Sequence, residues 1–130
     1  MLDASCLVRA LVDRRPDATA WTDRARRRET LPAWPSILYP EFAHSLVRLE
    51  RAGVVARAQA REALDQVRWM RAHVRSARSS AAEAMAVALD RGLTVYDALY
   101  VVVAEALDAP LVTADRRLAE ATDKAVLLPG

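Results

Sequence analysis

Between Pro40 and Gly53, apolar side chains return every three to four positions, at Phe42, Leu46 and Leu49, with polar and charged residues filling the intervals. That spacing is one face of an amphipathic helix. Pro40 suits its first turn, where the missing N–H costs nothing, and Gly53 ends it. The same period predicts helices over 4–12, over 16–28 starting at Pro16-Asp17, and over 57–70. Ser80-x-x-Glu83 has capping-box spacing for a helix that stops at Gly92, and Thr94-x-x-Asp97 repeats the device for a helix reaching about 107. Between these segments lie short apolar runs: a very short strand before residue 4, then 30–34, 73–75 at an edge, 110–113 after the Ala109-Pro110 break, and 126–128. Strands alternating with helices predict an α/β fold, a parallel sheet covered on both faces.

Connectivity then fixes where certain acids lie. In a right-handed crossover a strand ends at the carboxyl edge of the sheet, and the next helix starts there before running back. Asp3 ends the first strand, Glu41 sits in the first turn of the helix after the second, and Asp115 follows the strand of "PLVTAD". Asp97 opens the helix that must descend about 14 residues, roughly 21 Å, to the start of that strand. All four carboxylates are therefore expected at one crevice. Singly, each has a structural explanation: Asp97 as capping-box partner of Thr94, Asp115 as an N-cap, Glu41 as a dipole-favoured residue. Together they repel one another and cost free energy when desolvated without a partner, so a cation is expected among them.

Composition narrows its identity. The 130 residues fit one domain over 1–130, and a hydrophobic content of 53% is enough for a core. Cys6 is the sole cysteine, and His44 and His73 are far apart in the chain, so no zinc-ligand set is visible. Oxygen-only ligands select a hard divalent ion, Mg²⁺ or Mn²⁺, with Ser5 and Thr113 as candidate supporting hydroxyls. Such a site serves phosphodiester chemistry: it cancels charge, orients a water and lowers that water's pKa. No leader-like segment or membrane-length apolar run is read, so a cytoplasmic protein without membrane attachment is expected.

These residues resemble the PIN-domain ribonucleases, in particular the short VapC-type toxins of toxin-antitoxin pairs. "LDAS" resembles the family's first motif, "PEFAHSL" its second, "LTVYDALYVVVAE" its third and "LVTADRRL" its fourth, which puts the acids on Asp3, Glu41, Asp97 and Asp115. The resemblance spans essentially the whole chain. It departs at two places: only Met1 and Leu2 precede Asp3, and His44 stands where the second motif commonly has Asn. It implies a parallel sheet of about five strands and Mg²⁺- or Mn²⁺-dependent endoribonuclease activity leaving 5′-phosphate and 3′-hydroxyl ends. It also implies a homodimer and a cognate antitoxin lying across the site. On this reading Asp3, Asp97 and Asp115 hold the metal, and Glu41 is a further ligand or the base.

The net charge of +2 argues for no particular partner. The arginine clusters at 24–28 and 68–78 are read as solvated faces, and Arg116 and Arg117, beside Asp115, as the better-placed RNA contacts. A phosphorelay receiver would need adjacent acids after the first strand and a lysine after a late one; this chain has Asp3 alone and Lys124 too far on. The competing reading is a PIN-like module, weak or inactive in catalysis, that binds RNA or a partner protein.

Overall fold

The computed structural model describes residues 1–129. Its elements run α1 (Ala4–Leu11), α2 (Pro16–Arg26), β1 (Ala33–Pro35), α3 (Leu38–Arg51), α4 (Arg57–Arg68), β2 (His73–Arg75), α5 (Ala77–Arg91), α6 (Val95–Leu107), β3 (Leu111–Thr113), α7 (Arg116–Glu120) and β4 (Ala125–Leu127). The fold is α/β, as the alternating pattern expects.

The sheet is less continuous than expected. Instead of about five strands, the described residues form two two-stranded parallel sheets, β1 with β2 and β3 with β4. Residues 1–3 lie between them. Leu2 forms an isolated parallel bridge to Val112, Val112 N donates to Met1 O at 2.9 Å, and Leu2 N donates to Ala33 O at 3.4 Å. The physical reason is length: Asp3 already caps helix α1, which begins at Ala4, so the extended segment ends at once and no full ladder forms on either side. The segment still occupies the middle, and it delivers Asp3 to the carboxyl edge.

Local signals account for most boundaries. Asp3, Thr94 and Asp115 cap α1, α6 and α7 with their side chains. Gly92 closes α5 in the left-handed conformation at φ +66°, which favours a residue without a Cβ. Helix α6 stops at Asp108, also left-handed, two residues before Pro110. Two starts differ from expectation: β1 begins at Ala33 rather than residue 30, and α5 begins at Ala77, not near Ser80. Ser76 caps it, and Ser36 Oγ accepts a bond from Ala77 N at 2.9 Å, so the tertiary neighbour supplies a stop for the first orphan N–H. Ser80 is buried inside the helix.

The main core gathers Leu2, Leu7, Trp34, Phe42, Val101 and Val112, and a smaller cluster of Ala84, Ala88, Ala98, Leu99 and Val102 seals α5 to α6. Helix α6 is buried continuously over 98–104 and packs on both β1 and β3. It is the rigid post on which the carboxyl edge is assembled. Of the three tryptophans, Trp34 is fully buried while Trp69 is 77% exposed, its ring beside the Arg68 guanidinium. No helix of the described residues is long and apolar enough to cross a membrane.

Candidate active site

Asp3 is the most enclosed of the four acids. Its Oδ1 accepts from Ser5 Oγ at 2.7 Å and from Cys6 N at 2.9 Å, and its Oδ2 accepts from Thr113 Oγ1. Burial pushes its pKa up, and those three donors work against the rise. The same hydroxyls tie Asp3 to the β3–α7 turn: Ala114 N donates to Ser5 Oγ and Asp115 N to Thr113 Oγ1, each at 2.9 Å. Ser5 and Thr113 thus both donate their hydroxyls to the Asp3 carboxylate.

Glu41 projects from the first turn of α3 and is half-buried. Its Oε1 accepts from the Tyr100 hydroxyl at 2.6 Å. Asp97, one turn before Tyr100 on α6, is half-buried, and its backbone N–H donates to Thr94 Oγ1 at 3.1 Å. Asp115 is exposed and caps α7, its Oδ1 accepting from Arg117 N at 2.9 Å and Leu118 N at 3.4 Å. Asp115 is the N-cap expected of it, and at Asp97 the recorded capping bond is the one its backbone N–H donates to Thr94.

Electrostatics joins the four into a ring. Asp115 raises the pKa of Asp3 and of Asp97, while Asp97 and Asp3 raise that of Glu41. In all three groups burial is the larger cause. The one cation acting in these shifts is Arg117, which lowers the pKa of Asp97 and thereby offsets part of the rise. Arg116 is exposed on α7.

Among the described residues, no three acids, histidines or cysteines stand close enough to form a ready ligand group. Several of the carboxylate oxygens also already have partners. Both Asp3 oxygens, Oε1 of Glu41 and Oδ1 of Asp115 are engaged by protein donors. Glu41 Oε2 and Asp115 Oδ2 take part in none of those bonds. Like charges without a counter-ion also keep apart. The donor set fits a hard divalent ion in chemistry, being all oxygen and short of positive charge.

Tyr100 is the site residue that sequence reasoning passes over. Within "DALYVVVA" it reads as one more apolar position, and it is indeed buried. The available signal was its spacing: three residues after Asp97 on a helix is the same face, and a buried phenol needs a partner.

Known proteins bear on this arrangement. A family profile described as the PIN domain matches residues 1–124. The Ribonuclease VapC1 of Mycobacterium tuberculosis is 36% identical over 121 residues, covering 93% of this chain and 89% of that protein. Ribonuclease VapC3 of Pyrobaculum aerophilum is 38% identical over 82 residues, 62% of this chain and 63% of that one. Among solved structures, PAE2754 from Pyrobaculum aerophilum superposes with a TM-score of 0.76 at 32% identity, over 95% of this chain and 79% of that chain. An acid-lined carboxyl edge, an α/β frame and these matches lead to one conclusion: the chain belongs to the PIN-domain family, in its VapC-type branch.

Proposed function

We propose that this protein is a metal-dependent endoribonuclease acting as the toxin of a toxin-antitoxin pair. The observation that carries the reading is the carboxylate ring: burial raises the pKa of Asp3, Glu41 and Asp97, Asp115 adds to the rise at Asp3 and Asp97, Asp3 and Asp97 add to it at Glu41, and hydrogen-bond donors and Arg117 offset only part. A binding-only surface for a polyanion gains nothing from such a ring. A divalent ion relieves it.

Asp3, Asp97 and Asp115 would hold Mg²⁺ or Mn²⁺, with Glu41 as a further ligand or as the base that orients water. The ion supplies charge neutralisation at the phosphodiester and acidifies the attacking water. Ser5 and Thr113 fix the Asp3 carboxylate through their hydroxyls. Arg117, and Arg116 beside it on α7, offer positive charge to the RNA backbone. Water adds to phosphorus as the 3′-oxygen leaves, giving a 5′-phosphate and a 3′-hydroxyl. The names of the VapC relatives support the substrate class, and the same reading includes a cognate antitoxin, a homodimer and a cytoplasmic location.

The test is incubation of the purified chain, freed of co-purifying protein, with a pool of structured RNAs in Mg²⁺ or Mn²⁺, beside EDTA and Asp97→Asn controls. Cutting that disappears in both controls is the expected result. A wild type that neither cuts RNA nor binds Mn²⁺ would sink the enzyme and leave a module that binds RNA or a partner protein.

A further inference from the structure

Helices α1 and α3 both start at the carboxylate ring and run away from it, and a cleft opens between them. On α1 its wall carries Ser5 and, one turn on, Arg9; on α3 it carries Ser45 and Arg48, four and seven residues after Glu41. Ala114, the neighbour of Asp115, completes the upper end. The cleft adjoins the ring without including its acids: two of its wall residues reach the ring, since Ser5 Oγ donates to Asp3 Oδ1 and accepts from Ala114 N, the neighbour of Asp115. Asp13 marks the far end.

We propose that this cleft is a subsite for the RNA strand on one side of the cut, with Arg9 and Arg48 holding a phosphate beyond the scissile one. This rests on the nuclease reading above. The charge pattern favours the assignment: acids that need a cation at one end, two guanidiniums in the wall, and an acid that limits a polyanion at the other. Distance fits as well. Seven residues of α3 separate Glu41 from Arg48, about 10 Å of rise, which is about three nucleotides at a stacked 3.4 Å spacing and fewer in an extended strand. Guanidinium forks match phosphate oxygens in pairs. One guanidinium nitrogen of Arg9 donates to Pro129 O, which leaves its other N–H groups for a phosphate. Val8 and Leu49 give the wall an apolar surface for a sugar or base.

The test compares wild type, Arg48→Gln, Arg9→Gln and Arg61→Gln. Arg61 lines a different cleft, between α3 and α4, and is the control for simple loss of charge. Affinity for a twelve-nucleotide single-stranded RNA is read by fluorescence anisotropy across a salt series in EDTA, and cleavage KM is read in Mg²⁺. Arg48→Gln and Arg9→Gln are each expected to weaken binding about fivefold to tenfold and to flatten the slope of log affinity against log salt by about 0.7, the single-strand increment per phosphate contact. Arg61→Gln keeps the wild-type slope. Wild-type affinity and slope in Arg48→Gln would overturn the subsite while leaving the nuclease intact, as would equal losses in Arg61→Gln. If Arg48→Gln keeps its RNA affinity but loses affinity for a hexaglutamate peptide, the cleft takes an acidic protein segment and the proposal fails. A wild type that binds no RNA and cuts none removes the nuclease reading and the subsite with it.

Discussion

The Tyr100 hydroxyl donates to Glu41 Oε1 at 2.6 Å, joining α6 to α3 across 59 positions of sequence. Asp97 lies one turn earlier on α6, so a single buried helix carries one carboxylate of the ring and fixes the orientation of another. Tyr100→Phe keeps the ring of the side chain and removes only the donor. Under the nuclease reading, Mn²⁺ affinity or turnover is expected to fall by about tenfold or more, the usual effect of losing a partner behind a ligand. Titration calorimetry with Mn²⁺ checks this, and a thermal melt separates it from misfolding. In a Glu41→Ala background the same substitution should change little more, because the two residues act as a pair. Full additivity would show that the Tyr100 hydroxyl acts independently of Glu41.

Burial raises the pKa of Asp3, Glu41 and Asp97 above ordinary values of 3.8, 4.5 and 3.8. An acid with a raised pKa in the folded state holds its proton more tightly there than in the unfolded chain. Its effect is therefore a loss of stability as pH climbs from the ordinary carboxylate range through the raised value. Asp97→Asn removes one such charge. In EDTA the variant should match wild type below about pH 4 and melt higher than wild type at pH 7. Glu105 and Asp108, whose pKa values are lowered by Arg91 and Lys124, act in the opposite sense but are common to both proteins and cancel. Melting curves across pH settle the sign; a variant less stable at pH 7 would mean that the ring is not under repulsion. Added Mn²⁺ should reverse the order by stabilising wild type alone.

Asp115 serves two purposes that substitution can separate. Its carboxylate caps α7, a helix of five residues, and it belongs to the ring. Asn caps as well as Asp, whereas Ala does not. Asp115→Asn should therefore hold stability close to wild type while abolishing RNA cleavage, and Asp115→Ala should lose about 1 kcal/mol besides. Urea unfolding of both variants beside the cleavage assay distinguishes cap from ring.

Cys6 lies in the first turns of α1 and is fully buried, and desolvation pushes its thiol up to about 12. The thiolate is the reactive form, so the folded protein should resist iodoacetamide at neutral pH and react only after denaturation. Mass spectrometry before and after unfolding reads the outcome directly. Rapid labelling of the native protein would show that α1 opens on the labelling timescale.

Several features of this protein follow from the chain alone. Periodicity of apolar residues specifies amphipathic helices whatever surrounds them, so α3 lies within a few residues of where Pro40, Phe42, Leu46 and Gly53 put it, and α5 ends where Gly92 puts its end. Alternation of those helices with short strands, and the handedness of crossovers, is enough to send Asp3, Glu41, Asp97 and Asp115 to one edge before any coordinate is known. Thr94 and Asp115 announce their caps by spacing. These are local or topological constraints, and they are written in consecutive residues.

What the fold alone decides are pairings between distant segments. No pattern near residue 77 shows that Ser36 would accept its N–H and start α5 early. The chain shows that the extended segment before Ala4 is very short, but not that Leu2 would bridge Val112 between two small sheets, because its partners depend on where β1 and β3 lie. Tyr100 is legible as apolar and legible as buried, yet its partner across the crevice depends on how α3 and α6 cross. The degree of burial that raises three of the four acids has the same origin. Desolvation is a property of the surrounding volume, and that volume exists only once the helices have packed.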